Sequence, residues 1–312
     1  MKAVRIHAYG GPEVVRHEEA PRPGPGDGEV LVRVRAAGVN PVDWKTRAGG
    51  GQAAKIGERF PLVLGWDVSG TVEEVGPEVS GLSVGDDVFG LVRFPQPGQT
   101  YAEYVAAPAH ELAPKPKALS HAEAAAMPLA ALTAWQALLE TGGLEAGQTA
   151  LIHAAAGGVG HLAVQLARWK GAWVVGTASG ANVDFLRSLG ADAVDYGVSR
   201  FEDSVSDVDL GLVPVDGDVI ERTLAVLRPG GVLVSIRGEP SQEQAGRLGV
   251  RAARILVRPH AGQLGEISSL VDAGRIRPVV AAEFPLAEVN KAFELSEEGH
   301  VRGKVVLRVS SE

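Results

Sequence analysis

The sequence predicts an α/β protein in two parts, a β-barrel-type domain and a doubly wound parallel-sheet domain. Three observations support this fold class. In the first third of the chain, short β-branched runs at 30–35, 70–75 and 87–92 are separated by Gly- and Pro-rich turns, a pattern typical of small barrels. From about residue 120 onward, apolar strands and amphipathic helices alternate, which favours a parallel sheet covered by helices. A glycine-rich turn joins one of these strands to its helix.

The composition excludes several classes of protein. The chain has 312 residues, a formal net charge of −8 and no cysteine. The negative charge argues against a nucleic-acid-binding surface. The absence of cysteine excludes disulfides, thiolate zinc sites, iron–sulfur clusters and cysteine nucleophiles, and it fits a reducing cytoplasm. No apolar run is long enough to span a membrane, and the first ten residues lack the apolar core of a signal peptide.

The second part of the sequence supplies clear element boundaries. Ser120 and Glu123 form a capping-box pattern before an Ala-rich helix, so we expect a helix to begin there. The predicted strands are 149–154, 173–177, 193–196 and 232–236, and the predicted helices are 158–170, 183–189 and 219–227, the last ended by the glycine pair after Pro229. A helix at 286–298 and a strand at 303–309 follow, and that strand is predicted to return to the first domain. The predicted domains are 1–120 with 263–312, and 121–262.

The most informative segment is the turn 154–160, Ala-Ala-Ala-Gly-Gly-Val-Gly, between a predicted strand and a predicted helix. Gly157, Gly158 and Gly160 leave the backbone open where a pyrophosphate would approach. The N–H groups of a helix beginning near Val159 would face that anion. A tight turn without a ligand is the alternative, but the strand–turn–helix context favours a dinucleotide.

The residue that follows the next strand indicates which dinucleotide. Proteins that bind NAD usually carry an acidic residue about 20 positions after the turn, where it holds the ribose 2′-OH. Ser179 stands there instead, and a hydroxyl can donate to a 2′-phosphate that a carboxylate would repel. This favours NADP(H), with Arg187 and Arg200 as candidate sources of positive charge. An ordinary loop serine is the alternative.

Several segments together resemble a known family. They are Ala37-Gly-Val-Asn-Pro-Val-Asp, Gly65-Trp-Asp-Val-Ser-Gly-Thr-Val, Val84-Gly-Asp-Asp-Val-Phe, the glycine turn with Gln165-Leu-Ala, Leu189-Gly-Ala-Asp, Leu227-Arg-Pro-Gly-Gly and His300-Val-Arg-Gly-Lys-Val-Val-Leu. In this order they resemble the zinc-independent quinone oxidoreductases (the zeta-crystallin-like group) of the alcohol dehydrogenase-like, medium-chain dehydrogenase/reductase superfamily. The resemblance implies a GroES-like β domain, a Rossmann domain and an active site in the cleft between them.

The residues at the metal positions of that superfamily argue against zinc. Zinc-dependent members carry Cys where this chain has Asn40, and a His-Glu pair where it has Trp66 and Asp67. A Trp side chain cannot ligate a metal, and one Asp cannot build a tetrahedral site. Because a simple alcohol needs a Lewis acid to become a good hydride donor, acceptors already activated by conjugation remain. The resemblance implies NADPH-dependent reduction of quinones or α,β-unsaturated carbonyls, with no metal.

The resemblance also implies the residues of the site. Contacts to NADP(H) are expected from Asn40, Thr133, Gly157, Gly158, Val159, Gly160, Ser179, Tyr196, Val215 and Lys304. Asn40 and Lys45 are the catalytic candidates, Asn40 near the nicotinamide ribose and Lys45 as an electrostatic stabiliser of an enolate. Water is the alternative proton source. Each side chain also has a structural interpretation: Lys45 as a surface lysine, Thr133 as a helix-packing hydroxyl, Tyr196 as a strand end and Lys304 as a solvated edge charge.

Two further readings of the sequence stay open. The loop 213–217 carries Pro214 and Asp216 where the family usually has other residues. This leaves room for an NADPH-binding protein with a sensory, RNA-related or structural role and little turnover, or for a polyketide-type enoyl reductase. The β-rich run 253–259 suggests a homodimer through strand pairing, with an ordinary protected sheet edge as the alternative.

Some chemically suggestive residues are interpreted as structural. His153 and His161 flank the glycine turn without metal-ligand spacing, so they are expected to be a strand-end and a helix-face histidine. Trp66, Phe94 and Tyr101 are more often core residues of a small barrel than the walls of a substrate cleft.

Overall fold

The computed structural model describes residues 1–310 and divides the chain into two compact units. The first unit comprises Met1–Leu132, Arg258–Gly274 and the described residues from Pro278 onward, and the second comprises Thr133–Val257 and Arg275–Arg277. The contacts place residues 258–262 in the first unit and 275–277 in the second, opposite to the predicted domains. They also place residues 121–132 in the first unit, although the sequence predicts them in the dinucleotide-binding part. Their Ala-rich helix supplies Ala125 and Ala126 to a core cluster with Ala36 and Val306, which explains the difference.

The elements follow one another along the chain. The first stretch contains β1 (Lys2–Ile6), β2 (Val15–Glu19), β3 (Glu29–Val39), α1 (Pro41–Arg47), α2 (Ala53–Ile56), β4 (Leu62–Val63), β5 (Asp67–Val75), β6 (Asp87–Leu91), β7 (Tyr104–Pro108), β8 (Leu112–Pro114), α3 (His121–Ala125) and α4 (Pro128–Trp135). A π-helical segment, Gln136–Thr141, continues α4.

The alternating stretch comes next. It contains β9 (Thr149–Ile152), α5 (Gly160–Trp169), β10 (Trp173–Ala178), α6 (Val183–Ser188), β11 (Asp192–Asp195), β12 (Val208–Val213), α7 (Val219–Val226), β13 (Leu227–Ser235), α8 (Gln242–Leu248) and β14 (Arg251–Arg254). The chain then forms α9 (Ala261–Asp272), β15 (Val280–Pro285), α10 (Val289–Glu298) and β16 (Lys304–Arg308).

The first unit is built from two sheets. A small sheet has the strand order β2-β1-β4, and a larger one has the order β15-β16-β3-β5-β6-β8, with β7 also paired to β3. Valines at 30, 32, 34, 68, 72 and 88 alternate along β3, β5 and β6 and fill the core of the larger sheet. β16 pairs with β3, so the predicted return of the strand at 303–309 to the first domain is confirmed.

The second unit is the predicted doubly wound sheet. Six strands in the order β11-β10-β9-β12-β13-β14 are all parallel. Because the carboxyl ends of parallel strands meet at one edge, the loops after β9, β10, β11 and β12 converge there. This places the glycine turn, Ser179, Tyr196 and Val215 at one edge of the sheet.

One predicted strand begins earlier than expected. The helix predicted at 219–227 is α7, which ends at Val226, but the strand predicted at 232–236 is β13, which already begins at Leu227. Leu227 takes up an extended conformation and pairs with Val208 of β12. Pairing with the sheet therefore begins before the turn residues that suggested a helix end.

The start of the Ala-rich helix agrees with its sequence. Ser120 caps α3 by accepting a hydrogen bond from the backbone of Glu123, whose carboxylate accepts from the backbone of Ser120 at 3.0 Å. The predicted capping box is confirmed. Within residues 1–310, the helices are all too short or too polar to cross a membrane.

Candidate cofactor and catalytic residues

The glycine turn brings backbone very close to backbone. A Cβ added to Gly160 would overlap the carbonyl oxygen of Ala154 and lie 2.6 Å from the Cα of Ala155. Ala154 itself has a positive φ of 44°, a left-handed conformation that a non-glycine residue rarely adopts. The first residue of α5 therefore has to be glycine, and the turn is folded tightly against the start of its helix.

The carbonyl groups of this turn are used inside the protein. Ala154 accepts a hydrogen bond from the backbone N–H of Gly157 at 2.9 Å. The Gly157 carbonyl accepts two, from the backbone N–H of His161 at 3.0 Å and from its ring Nδ1 at 2.8 Å. A turn that satisfies its oxygens internally presents less negative charge to an approaching anion, and the positive end of α5 lies beside it.

The other predicted residues of the second unit lie in nearby loops and in α4. Ser179 follows β10 and accepts a hydrogen bond from the amide of Asn182 at 3.2 Å. Tyr196 follows β11 and is exposed. Val215 follows β12 and packs partly against the core of the second unit. Thr133 is buried in α4.

The charges predicted near Ser179 are engaged elsewhere. Arg187 forms an ion pair with Asp184 at 3.2 Å, and Arg200 forms one with Glu202 at 3.0 Å. The carboxylate of Asp195, which the sequence analysis did not single out, lies against this turn, because a Cβ added to Gly180 would be 2.6 Å from its Oδ2.

The loop after β12 is held by an ion pair. Asp216, one of the unusual residues of that loop, forms an ion pair with Arg237 just beyond β13. The substitution that seemed to alter the loop therefore brings a charged contact that ties it to the end of the neighbouring strand.

The first unit buries a group of polar side chains around Asn40, which follows β3 and precedes α1. Its side-chain Nδ2 donates to Oδ2 of Asp67 at 2.8 Å, and its Oδ1 accepts from the ammonium of Lys304. Lys304 also donates to the carbonyl of Val39 at 2.7 Å, and its Nζ lies 3.9 Å from Asp67. Asn40 is 2% exposed and Lys304 4% exposed, so the interpretation of Lys304 as a solvated charge is wrong.

Asp43 and Tyr101 extend this buried group. The Oδ2 of Asp43 accepts from the backbone N–H of Asn40 at 2.6 Å and from the Tyr101 hydroxyl at 2.7 Å. Its Oδ1 is buried and has no hydrogen-bond partner. The Tyr101 hydroxyl also lies 3.2 Å from the carbonyl of Gly38. We call these five residues, Asn40, Asp43, Asp67, Tyr101 and Lys304, the buried polar cluster.

Burial shifts the titration of the buried polar cluster. It raises the pKa of Asp43 to about 7, against the hydrogen bonds from Asn40 and Tyr101. It also raises the pKa of Asp67 to about 6, against the attraction of the Lys304 ammonium. Burial lowers the pKa of Lys304, against the attraction of the two carboxylates. Two carboxyl groups therefore share one ammonium, and a proton held by one carboxyl makes the cluster neutral.

The residues at the metal positions do not fit a zinc ion. Asn40 and Asp67 are bound to each other and to the Lys304 ammonium, which already supplies a cation. The indole Nε1 of Trp66 donates to the carbonyl of Gln96 at 2.6 Å and has no lone pair to offer. Among residues 1–310, His, Cys, Asp and Glu side chains form no group of three suited to a metal ion.

Lys45 lies in α1 with its ammonium 5.3 Å from the centre of the Trp44 ring. The predicted core interpretation of the aromatic residues is confirmed: Trp66 and Tyr101 are fully buried, and Phe94 packs edge-on against Trp66. His153 and His161 are buried and hydrogen-bonded, as a structural interpretation predicts.

Sequence reasoning missed several polar residues of these sites. Asp43 appeared only inside a quoted motif, and Asp67 was considered only as a metal position, so the pairing of Asp67 with Asn40 and Lys304 was not predicted. The contacts of His153 with Thr177 at 3.0 Å and Thr223 at 2.9 Å join residues that are far apart in the chain, so no local pattern shows them.

Comparison with known proteins agrees with the fold and the motifs. Residues 26–117 match the alcohol dehydrogenase GroES-like domain, and residues 189–307 match a domain described as a zinc-binding dehydrogenase. The chain is 35% identical to the mitochondrial NAD(P)H oxidoreductase RTN4IP1 of Danio rerio, over 90% of this chain and 84% of the relative. It is 34% identical to the chloroplastic NADPH-dependent alkenal/one oxidoreductase of Arabidopsis thaliana, over 98% of this chain and 79% of the relative.

A solved structure of a related protein has the same fold. The quinone oxidoreductase of Coxiella burnetii superposes with a TM-score of 0.93 at 38% identity, covering 99% of both chains. The GroES-like and Rossmann-type parts are therefore both present. The chain belongs to the quinone oxidoreductase branch of the medium-chain dehydrogenase/reductase family.

Proposed function

We propose that this protein is an NADPH-dependent oxidoreductase that reduces quinones or α,β-unsaturated carbonyls without a metal ion. The observation that carries the proposal is the glycine turn, which folds tightly onto α5 and satisfies the carbonyls of Ala154 and Gly157 internally. The names of the relatives support it, because they specify NAD(P)H, alkenals or enones, and quinones.

The chain offers residues for each part of the cofactor. In this proposal the backbone of Gly157, Gly158, Val159 and Gly160 binds the pyrophosphate, and Ser179 donates to the 2′-phosphate with Tyr196 beside it. The residues proposed to lie toward the nicotinamide end are Asn40, Thr133, Val215 and Lys304. Bound NADPH supplies a hydride to a carbon of the acceptor.

The protein's own contribution is electrostatic. A hydride added to a conjugated acceptor leaves negative charge on its oxygen, and a fixed donor that faces this oxygen lowers the barrier. Asn40 is held by Lys304 and Asp67 in one amide orientation, so its remaining amide hydrogen is pre-oriented. Lys45 is the second proposed stabiliser, and water delivers the final proton. Asn40 and Asp67, at the zinc positions, are engaged with each other and with Lys304, which supports a reaction without a metal.

A turnover assay tests this proposal. The purified full chain is mixed with NADPH and a panel of ortho-quinones, para-quinones and enones, and absorbance at 340 nm is followed. We expect NADPH oxidation with at least one acceptor, slower oxidation of NADH, and rates unchanged by a metal chelator. A chelator-sensitive rate would contradict the metal-free part of the proposal.

The same assay separates the alternatives. If NADPH binds and no acceptor is reduced, an NADPH-binding protein with little turnover becomes the better description. Turnover confined to thioester-linked enoyl substrates would indicate an enoyl reductase of the polyketide type.

Two coarser expectations belong to the proposal. A homodimer is proposed through the run 253–259 at the edge of the parallel sheet, of which only residues 253 and 254 belong to the edge strand β14. Light scattering on the purified chain tests it. A monomer would favour an ordinary edge that its arginines protect; Arg254, for example, donates to the carbonyl of Arg237 at 2.7 Å. The cytoplasmic location remains a prediction from composition, since relatives include mitochondrial and chloroplast proteins.

A further inference from the structure

The imidazole of His153 lies where three proposed cofactor-binding segments meet. It follows β9 and directly precedes the glycine turn. Its Nδ1 lies 3.0 Å from the hydroxyl of Thr177, two residues before Ser179, and its Nε2 lies 2.9 Å from the hydroxyl of Thr223 in α7. Thr223 is in the first helix after the loop that contains Val215.

The second hydrogen bond of Thr223 sets the direction in which each proton of this hydrogen-bond chain is donated. Thr223 donates its only hydroxyl proton to the carbonyl of Val219 at 2.5 Å, so its oxygen has to accept from Nε2–H of His153. In a neutral imidazole the other nitrogen is then an acceptor, and Thr177 donates to it. His153 is therefore the Nε2–H tautomer, with both ring nitrogens satisfied.

The surroundings of His153 favour the neutral ring. The side chain is 3% exposed and packs edge-on against Phe201 with ring centres 4.7 Å apart. The charged groups that face it are Arg222 on α7, which repels a proton, and Glu202 in the neighbouring 201–203 turn, which attracts one. Burial acts first and, with Arg222, lowers the pKa of His153 to about 4.

The hydrogen-bond chain from Thr177 through His153 to Thr223 also contacts the glycine turn. The backbone of Thr177 also accepts a hydrogen bond from the N–H of Ala155, within the glycine turn, at 3.0 Å. The same residue thus touches the turn through its backbone and His153 through its side chain. Cooperative hydrogen-bond chains of this kind hold their members in one arrangement.

We infer that His153 is a positioning residue for the cofactor site, which acts through Thr177 and Thr223 to hold the glycine turn, the Ser179 turn and the loop before α7 in register. This inference rests on the proposed function, since it requires these segments to bind NADPH. Neither His153 nor the two threonines touches the cofactor in this proposal.

The main test removes one hydroxyl without changing the shape of the side chain. Thr223→Val leaves Nε2–H of His153 buried without an acceptor, and we expect NADPH to bind about tenfold more weakly. The turnover number at saturating NADPH should change by less than about twofold, because the chemistry is untouched. Thr223→Ser keeps the hydroxyl and should restore binding. Thr71→Val, which removes a more exposed hydroxyl bound to Asp87 in the first unit, controls for the loss of a threonine hydroxyl away from this hydrogen-bond chain.

A spectroscopic test reads the tautomer of His153 in the unaltered protein and uses a variant only to assign its signals. Long-range ¹H–¹⁵N spectra of the histidine side chains in the full chain report the tautomer of each ring. We expect one ring to show Nε2–H and to stay neutral from pH 8 down to about 5, and His153→Gln identifies its signals. His161 gives an internal comparison, because its Nδ1 faces the Gly157 carbonyl and has to carry a proton.

The outcomes distinguish the inference from the proposed function. A ring of His153 that is protonated on Nδ1 at neutral pH, or NADPH affinity that Thr223→Val leaves within about twofold of the unaltered protein, overturns the inference alone. If the unaltered protein binds no NADPH, the proposed function falls and the inference falls with it. If Thr223→Val does not fold, Thr177→Val and the spectra of the unaltered protein decide.

Discussion

The two units bury polar side chains in opposite ways. In the first, the buried polar cluster holds formal charges, with Asp43 and Asp67 facing the single ammonium of Lys304. In the second, His153 joins Thr177 and Thr223 in a chain of neutral groups. The first arrangement depends on balanced charge, whereas the second depends on the direction in which each proton is donated.

This difference predicts which substitutions each region tolerates. A buried charge that loses its partner keeps the full cost of its desolvation, so the buried polar cluster should be sensitive to any change of charge. A hydrogen-bond chain of neutral groups loses about one hydrogen bond when one side chain is replaced, and this costs less stability than an unpaired buried charge. The following predictions, from the largest expected effect to the smallest, test that contrast.

Removal of the ammonium should have the largest effect. Lys304→Met leaves Asp67 buried beside Asn40 without its counter-charge, and we expect the free energy of unfolding to fall by about 3–5 kcal/mol. Adding Asp67→Asn should recover much of this loss, because the uncompensated charge is gone. Urea denaturation of the single and the double variant measures both free energies of unfolding.

An exposed ion pair serves as the control. Lys291 and Glu288 are paired at 2.8 Å on the surface of α10 and the turn before it, and Lys291→Met should cost less than about 1 kcal/mol. Equal losses at Lys304 and Lys291 would show that burial of the charge is not what matters.

The second unit should be most sensitive to crowding of its backbone. Gly160→Ala places a methyl group against Ala154 and Ala155, and we expect it to cost about 1–3 kcal/mol and to weaken NADPH binding. Gly246→Ala in α8, where an added Cβ meets nothing within 4 Å, should be stabilising by about 0.5–1 kcal/mol. Denaturation curves and NADPH titrations compare the two, and an unaffected Gly160→Ala would contradict the tight turn.

The pH dependence of stability should differ in sign between the two units. His153 has a pKa of about 4 in the folded chain and about 6.5 when unfolded, so the unfolded chain binds more protons between these values. Its contribution to stability is therefore lost as the pH falls from about 6.5 to 4. Asp43 has a folded pKa of about 7 against 3.8, so its folded form binds more protons there. Its contribution declines as the pH rises from about 4 to 7.

Two variants separate these contributions. Relative to the unaltered protein, His153→Gln should lose less stability on going from pH 7 to pH 5, and Asp43→Asn should lose less on going from pH 5 to pH 7. Each difference should be about 2 kcal/mol, measured by urea denaturation at both pH values. Shifts of the same sign in both variants would contradict the contrast between the units.

The sequence predicts best what is encoded locally. The capping box at Ser120, the glycine turn before α5 and the alternation of strands and helices each depend on residues a few positions apart, and the structure has them all. The strand predicted to begin at 232 begins at Leu227, because pairing of Leu227 with Val208 outweighs the local turn signal of Pro229 and the glycine pair.

The candidate sites could be predicted only in part for the same reason. Asn40 and Lys304 were named through a family resemblance as separate cofactor contacts, yet they bind each other across 264 positions of the chain. Nothing near Asn40 in the sequence shows that Lys304 or Tyr101 lies beside it. The chain from Thr177 through His153 to Thr223 is equally invisible before the sheet is folded.

The placement of β16 has a consequence for how the protein is made. This strand lies between β15 and β3 in the larger sheet, and it carries Lys304. During translation, β3, Asn40 and Asp67 leave the ribosome long before β16, which pairs with β3, has been synthesised. Domains usually fold in the order of their synthesis. In this protein the second unit, which lies in the middle of the sequence, can be completed before the last strand of the first unit has been synthesised.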